Sequence, residues 1–193
     1  MTVTAAADDP RKRRLLDAGL ATFMRFGFRK ASMEEVARAA HVSRQGLYLH
    51  FPSKEALFEA VVQYAVEAGL AQAAERIRDP ERTIEDKLLG AFDEWTGRYI
   101  GMIGENPTDL HEATALLGGE VIGAYEERFL DLVTKAIRAS SLPAAYKASG
   151  VSARQLAEML NANARGLKHV AKSRKDFVEQ FGVAVRVVCA HAR

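Results

Sequence analysis

Apolar residues recur at intervals of three and four along almost the whole chain, and no stretch alternates between apolar and polar residues as a half-buried strand would. This periodicity predicts an all-α protein of about nine helices. No uninterrupted apolar run approaches the roughly 20 residues that a membrane-spanning helix needs, so no membrane segment is expected.

The first 54 residues are predicted to form three short helices. The first runs from about 11 to 26, and Gly27 is expected to end it because glycine readily takes a positive φ. Ser32 and Glu35 have the spacing of a capping box, in which each side chain satisfies a backbone N–H at the start of the second helix. Ser43 is a suitable N-cap for the third.

A tight turn, 40–43, joins the second helix to the third, which is expected to run from 44 to about 50. His41 is expected to take the positive φ that such a turn needs, and Val42 is expected to pack between the two helices. Two short helices connected in this way form the geometry that inserts a helix end into the major groove of DNA. The spacing therefore favours a helix-turn-helix domain over residues 1–54.

Six further helices are predicted in residues 55–193, the larger helical domain. Gly118 and Gly119 are expected to separate two of them, and Ser152 and Ser173 to cap the last two. The expected bounds are 54 to about 79, 84 to about 104, a short helix after Pro107, 120 to about 140, 153 to about 171, and 174 to the C-terminus.

Charge is distributed unevenly between the two parts of the chain. Residues 1–54, which we call the head, contain 10 of the 27 Lys and Arg and 5 of the 25 Asp and Glu, a balance of +5. The rest of the chain, which we call the body, has a balance of −3. A basic head is typical of a segment that meets a polyanion, although an ordinary solvated basic face gives the same count.

Residues 14–57 resemble the N-terminal signature of TetR-type regulators. The resemblance has no gap, and its most specific part consists of Leu47, Tyr48, His50, Phe51, Ser53 and Lys54. Two positions depart from the family's pattern, since His41 stands where glycine is common and Ala31 where threonine is common. The resemblance implies a DNA-binding transcriptional regulator, most often a ligand-responsive repressor that binds a palindromic operator as a homodimer.

The resemblance also implies roles for residues of the head. Arg44 and Gln45 would read base edges, since arginine suits guanine and glutamine suits adenine. Gly46 would let the backbone approach the DNA closely. Phosphate contacts are expected from Ser32, Tyr48, His50 and Lys54. The cluster of basic residues at 11–14, beside the N-terminal arm, would reach the DNA backbone or the minor groove.

Each of these roles has a structural alternative. In these alternatives, Tyr48 is a core residue, Ser32 is a helix cap alone, and His50 and Lys54 are ordinary surface residues. The basic cluster at 11–14 would be a solubilising face.

The body is expected to dimerise and to hold a small-molecule effector. Its last two helices are apolar over more than one face, and the resemblance implies a homodimer interface through residues about 152–191. Any one aromatic residue at helical spacing is more often part of a core, but such residues are also what a largely apolar effector site needs. The candidate effector contacts are Phe92, Trp95, Tyr99, Met102, His111, Tyr125, Phe129 and Asn163, with Asn161 and Arg165 as further polar anchors.

The sequence contains no metal-ligand spacing, no glycine-rich phosphate loop and no Gly-x-Ser-x-Gly elbow. Its single cysteine, Cys189, is expected to be a buried small hydrophobe. Catalysis, a metal and a cofactor are therefore not expected. An architectural helical dimer and a ligand-binding protein without a DNA target are the alternatives, and the basic head and the motif argue against both. The polar N-terminus lacks a secretory signal, so a cytoplasmic location is expected.

Overall fold

The computed structural model describes residues 9–102, 104 and 107–190, and every regular element among them is helical. Within these residues, no helix is both long and apolar enough to cross a membrane. The N-terminal arm before residue 9 and the predicted end of the last helix, residues 191–193, lie outside this part of the chain. The helices are α1 (Pro10–Lys30), α2 (Met33–Ala39), α3 (Arg44–His50), α4 (Lys54–Arg78), α5 (Ile84–Trp95), α6 (Pro107–Arg138), α7 (Leu142–Ala145), α8 (Ala153–Lys168) and α9 (Arg174–Cys189).

Gly27 interrupts α1 with the positive φ that the sequence predicts, 79°, but one further helical turn follows it, so α1 ends later than expected. The predicted break at Gly118 and Gly119 is wrong, because α6 runs through both glycines without interruption. A Cβ on Gly118 would lie 2.8 Å from Val62 Cγ1 on α4. The glycine therefore allows two helices to pack closely, and it does not mark a turn. The short α7, which was not predicted, brings the number of helices in the described residues to nine.

The fifth helix is also shorter than predicted, since α5 ends at Trp95 and a 3-10 turn, Gly97–Tyr99, follows it. A Cβ on Gly97 would lie 2.9 Å from Phe177 Cδ1 of α9 and 2.7 Å from Asp93 Oδ1. The chain thus leaves the helix where α9 packs directly on its backbone. The eighth helix ends at Lys168, three residues before its predicted end.

The chain divides into two compact units. The first comprises the described residues of Met1–Ala65 together with Met102–Gly123. Its core contains Phe23 and Phe58, whose rings meet edge to face with centroids 5.0 Å apart. The boundary predicted from the sequence, between 54 and 55, falls inside this unit, because the first part of α4 and the first part of α6 belong to the same core as α1–α3.

The second unit comprises Val66–Gly101 and the described residues of Ala124–Arg193. Four phenylalanines from three helices fill its centre. Phe92 of α5 lies 4.9 Å from Phe129 of α6 and 4.7 Å from Phe181 of α9, measured between ring centroids, and Phe181 stacks on Phe177. Cys189 is buried in the same core, as the sequence predicts.

Candidate nucleic-acid interface

The capping box predicted at the start of α2 is confirmed. The Glu35 backbone N–H donates to Ser32 Oγ at 3.2 Å, and the Ser32 backbone N–H donates to Glu35 Oε2 at 2.9 Å. The Ser32 hydroxyl also donates to Glu35 Oε2 at 2.8 Å. Its donor and acceptor are thus both used in the cap, and a phosphate contact by Ser32 remains a prediction that would require this hydroxyl to turn.

The turn between α2 and α3 has the backbone that the sequence predicts at His41, with φ at 57°. Two hydrogen bonds close it, from the His41 N–H to the Arg38 carbonyl at 3.2 Å and from the Val42 N–H to the Ala37 carbonyl at 3.0 Å. Val42 remains 38% exposed, so the prediction that it packs between the two helices is wrong. The buried apolar residues of this helix pair are instead Met33, Val36 and Ala37 of α2 and Leu47 of α3.

α3 is fixed at its N-terminus by a cap and on its inner side by one leucine. Ser43 Oγ accepts a hydrogen bond from the Gly46 N–H at 3.0 Å, and Leu47 is fully buried in the core of the first unit. A Cβ on Gly46 would lie 3.2 Å from Ser43 Oγ, which leaves little space for a larger residue. The outer side of α3 is exposed and polar at Arg44, Gln45 and His50.

Arg44 and Tyr48 form a pair on this outer side. The Arg44 guanidinium carbon lies 5.6 Å from the centroid of the Tyr48 ring, and the hydrogen bond with the Tyr48 hydroxyl raises the pKa of Arg44 above its ordinary value. Tyr48 is itself exposed over about two fifths of its surface. The pair presents a cation and a hydroxyl together, as base and phosphate contacts require.

The ammonium of Lys54 lies on the carbonyl end of α1. Its Nζ donates to the backbone carbonyls of Phe28, Arg29 and Ala31 at 2.9, 3.3 and 3.2 Å, and it lies 4.6 Å from the centroid of the Phe28 ring. An ammonium has three donors, and here each has an acceptor. A phosphate contact through this ammonium therefore remains a prediction, and the contacts that the structure gives it are structural.

The amide end of α4 is capped by Ser53, whose Oγ accepts from the Ala56 N–H at 3.1 Å. The basic residues at 11–14 lie in the first turns of α1, where Asp9 caps the helix by accepting from the Arg11 N–H at 2.9 Å.

The structure thus brings five of the seven predicted DNA contacts together on α3, and it places Ser32 and Lys54 in capping roles at the ends of neighbouring helices. Leu49, for which the sequence predicts no role, is exposed on the same short helix.

The eight predicted effector contacts divide between the two units. Met102 and His111 belong to the first unit and are exposed. In the second unit, Trp95 stacks on Phe129 with ring centroids 4.9 Å apart, and Phe129 packs against Phe92 in the core.

The remaining three predicted contacts also lie in the second unit. Burial raises the pKa of Tyr99 above its ordinary value. The Tyr125 hydroxyl donates to Glu67 Oε1 at 2.6 Å, and Asn163 is exposed. The structure therefore brings together Phe92, Trp95 and Phe129, and all eight residues stay predictions as effector contacts.

Two hollows on the surface of the second unit have volumes of about 420 and 500 Å³. None of the eight predicted effector contacts lines either hollow. Two of the further polar anchors, Asn161 and Arg165, line the larger one, where Asn161 donates to Glu126 Oε1 at 2.8 Å.

The two helices predicted to dimerise have both a buried and an exposed apolar face. Leu160 of α8 and Phe181 of α9 are fully buried within the chain's own core. Several apolar side chains on the other faces of these helices, or directly after α8, are more than half or about half exposed: Met159, Val170, Val183 and Val187.

Comparison with known proteins matches the N-terminal part of the chain to one family. A family model described as bacterial regulatory proteins, tetR family, matches residues 15–61. Over 61 residues, 32% of this chain, the sequence is 43% identical to the HTH-type transcriptional regulator RutR of Escherichia coli (strain K12), of which it covers 29%. Over 71 residues, 37% of this chain, it is 38% identical to the HTH-type transcriptional regulator UidR of the same strain, of which it covers 34%. The matched part of the chain thus spans about a third of these relatives' length.

Similarity of fold extends over nearly the whole chain. The crystal structure of the reduced form of E. coli NemR superposes with a TM-score of 0.68 at 19% sequence identity, and the match covers 93% of this chain and 96% of that one. The helical architecture described above is therefore shared well beyond the segment in which sequence similarity is detected. Residues 15–61 therefore belong to the tetR family of bacterial regulatory proteins.

Proposed function

We propose that the chain is a DNA-binding transcriptional repressor that binds a palindromic operator as a homodimer and is released by a small, largely apolar molecule. The observation that carries the proposal is α3, whose exposed outer side presents Arg44 and Gln45 while Leu47 anchors its inner side in the core. A rigid helix with a bidentate donor and an amide at its first turn is suited to reading base edges in the major groove. Such a repressor would act in the cytoplasm, on double-stranded DNA.

The net charge of the head supports binding to DNA by electrostatics. A balance of +5 in residues 1–54 attracts phosphate irrespective of sequence and orients the protein on the duplex. Base contacts from α3 then supply the discrimination between sequences.

The exposed apolar residues of α8 and α9 support the homodimer. Met159, Val183 and Val187 would lose contact with water against a second copy of the same helices. A dimer also has a functional reason, because one short helix reads too few base pairs for useful specificity and two copies read both halves of a palindrome.

The aromatic cluster of the second unit supports an apolar effector. Trp95 is only partly buried while its ring stacks on Phe129, so an apolar molecule that enters beside Trp95 would contact aromatic faces directly.

Binding of the purified chain to the DNA that flanks its own gene tests the proposed function. Fluorescence anisotropy should show sequence-dependent affinity, and Arg44→Ala should lower affinity for the preferred sequence about tenfold to a hundredfold while affinity for random DNA changes much less. The control is Arg138→Ala, which removes the same charge from an exposed position at the end of α6. Equal losses on all sequences would show that Arg44 contacts only the DNA backbone, and an absence of sequence preference in the wild type would refute the proposed function.

A further inference from the structure

Leu49 is exposed on the helix that is proposed to enter the major groove. Its side chain is 83% exposed, although folding normally buries leucine. Leu47, two positions earlier, is fully buried in the core of the first unit. Successive residues of an α-helix are rotated by about 100°, so residues two positions apart point in nearly opposite directions. Leu49 therefore lies on the side of α3 that faces away from the core.

Gln45 shares that side of α3, because residues four positions apart lie one above the other on a helix. Gln45 is exposed as well. The two residues are separated by about 6 Å along the helix axis, which corresponds to roughly two base-pair steps in DNA. A helix that places Gln45 on one base pair thus brings Leu49 near a base pair about two steps away.

The chemistry of the leucine side chain limits what it can recognise there. A leucine neither donates nor accepts hydrogen bonds, so it gains nothing from the polar edges of the bases. The major groove offers one apolar group, the C5-methyl of thymine. Contact between that methyl and the isobutyl group of Leu49 would remove apolar surface of both partners from water.

We propose that Leu49 is a specificity-determining residue that selects thymine at one position of each half-site through its C5-methyl group. This inference rests on the proposed DNA-binding function and adds to it a base and the atom by which that base is recognised.

A double-mutant cycle between protein and DNA tests the contact. The wild-type chain is used to select an operator from random-sequence duplexes, and each thymine of that operator is then replaced in turn by deoxyuridine, which removes only the methyl group. Fluorescence anisotropy gives the affinity of the wild type and of Leu49→Ala for each duplex. We expect one thymine in each half-site whose replacement weakens wild-type binding about fourfold, the value for one buried methyl, and leaves Leu49→Ala unaffected. This thymine should lie about two base pairs from the position at which Gln45→Ala relaxes base preference.

The matched control is Leu116→Ala. Leu116 is a leucine of almost the same exposure, 84%, that lies in the same unit but on α6. This variant should show the wild-type response to deoxyuridine, and both variants should keep the wild-type unfolding temperature. The proposal is overturned if each deoxyuridine weakens the wild type and Leu49→Ala equally, or if Leu116→Ala loses the response as well. A wild-type chain that selects no sequence would instead refute the DNA-binding function on which the proposal rests.

Discussion

Lys54 shows how a single residue of a recognition motif contributes to the fold itself. The motif suggests a phosphate contact, yet the ammonium lies among three carbonyl oxygens at the end of α1 and beside the Phe28 ring. The last carbonyls of a helix have no partner within it, and they carry the negative end of the helix dipole. The first and fourth helices are thus joined by one cation.

Replacing Lys54 by methionine should lower the free energy of unfolding by about 1.5–3 kcal/mol, because hydrogen bonds to a charged group are lost while the apolar stem is kept. Urea unfolding measures the effect. Lys135→Met is the control, since Lys135 is an exposed lysine of the second unit. An unchanged stability would contradict the structural role.

The salt dependence of DNA binding tests the phosphate role of the same residue independently. A log–log slope that is smaller by about one unit in Lys54→Met would show that the ammonium reaches a phosphate in the complex. An unchanged slope would assign Lys54 to the fold alone.

At the scale of helices, the start of α6 is bonded to the end of α1 through Arg29. The Arg29 backbone N–H donates to Asp109 Oδ2 at 2.8 Å, and its guanidinium pairs with Asp109 at 3.3 Å and with Glu112 at 2.9 Å. The Asp109 side chain is 8% exposed and the Glu112 side chain 57%. One arginine thus has a buried and a solvated carboxylate as partners.

We expect these two carboxylates to differ in their contribution to stability. Asp109→Ala should cost about 1.5–3 kcal/mol of unfolding free energy, because it leaves a backbone N–H at the end of α1 without its acceptor. Glu112→Ala should cost less than about 1 kcal/mol, the value of a solvated ion pair. Urea unfolding of the two variants compares them directly, and equal losses would contradict the distinction.

The ends of the short helices could be predicted from the sequence because they depend on neighbours in the chain. The serine and glutamate of the α2 capping box are three residues apart, and the positive φ of His41 belongs to a local turn. The predicted break at Gly118 and the predicted continuation of the fifth helix past Gly97 are wrong for the opposite reason. Each glycine lies against a side chain far away in the sequence, Val62 and Phe177 respectively, and no local pattern shows that contact.

The candidate DNA-binding site, like the fold, could be predicted from the sequence only in part. The motif located α3 and its outward residues, but it could not show that Lys54 caps α1 or that Leu49 is left exposed. Both facts depend on the rotation of a helix against its core. The effector contacts were predicted least specifically, because aromatic residues at helical spacing describe a core and a cavity equally well.

For the whole molecule, the structure changes which residues test the homodimer. The predicted interface, residues about 152–191, includes Phe181 and Leu160, but both are fully buried within one chain, so a charge there would unfold it. Val183→Arg combined with Val187→Arg should instead yield a folded monomer, because both residues are more than half exposed. Light scattering measures the mass and circular dichroism the helix content. Leu116→Arg, on α6, is the control, and a dimer that survives the double substitution on α9 would place the interface elsewhere.

Trp95 reports on the proposed response to an effector, since it is the only tryptophan in the chain. An apolar aromatic compound that binds beside Phe129 should separate the stacked rings and change the emission of Trp95. The compound should also weaken binding of the operator, by a factor that corresponds to about 1–3 kcal/mol. By linkage, the operator should weaken binding of the compound by the same factor. Titrating a series of such compounds against the chain, with and without operator, measures both. A compound that binds tightly and leaves operator affinity unchanged would contradict the proposed release.

The discontinuity of the first unit limits how such regulators can recombine in evolution. A crossover after residue 65 would transfer α1–α3 to a new body and leave behind the described residues of 102–123, which belong to the same compact unit. Arg29 would then be transferred without Asp109, and the Arg29 backbone N–H at the end of α1 would lose its acceptor. If α3 reads the operator as proposed, DNA specificity would change at lower cost by substitution on the outer side of α3, where Arg44, Gln45 and Leu49 are exposed. New operators would then be acquired one residue at a time, while the helices that hold α3 in place are inherited together.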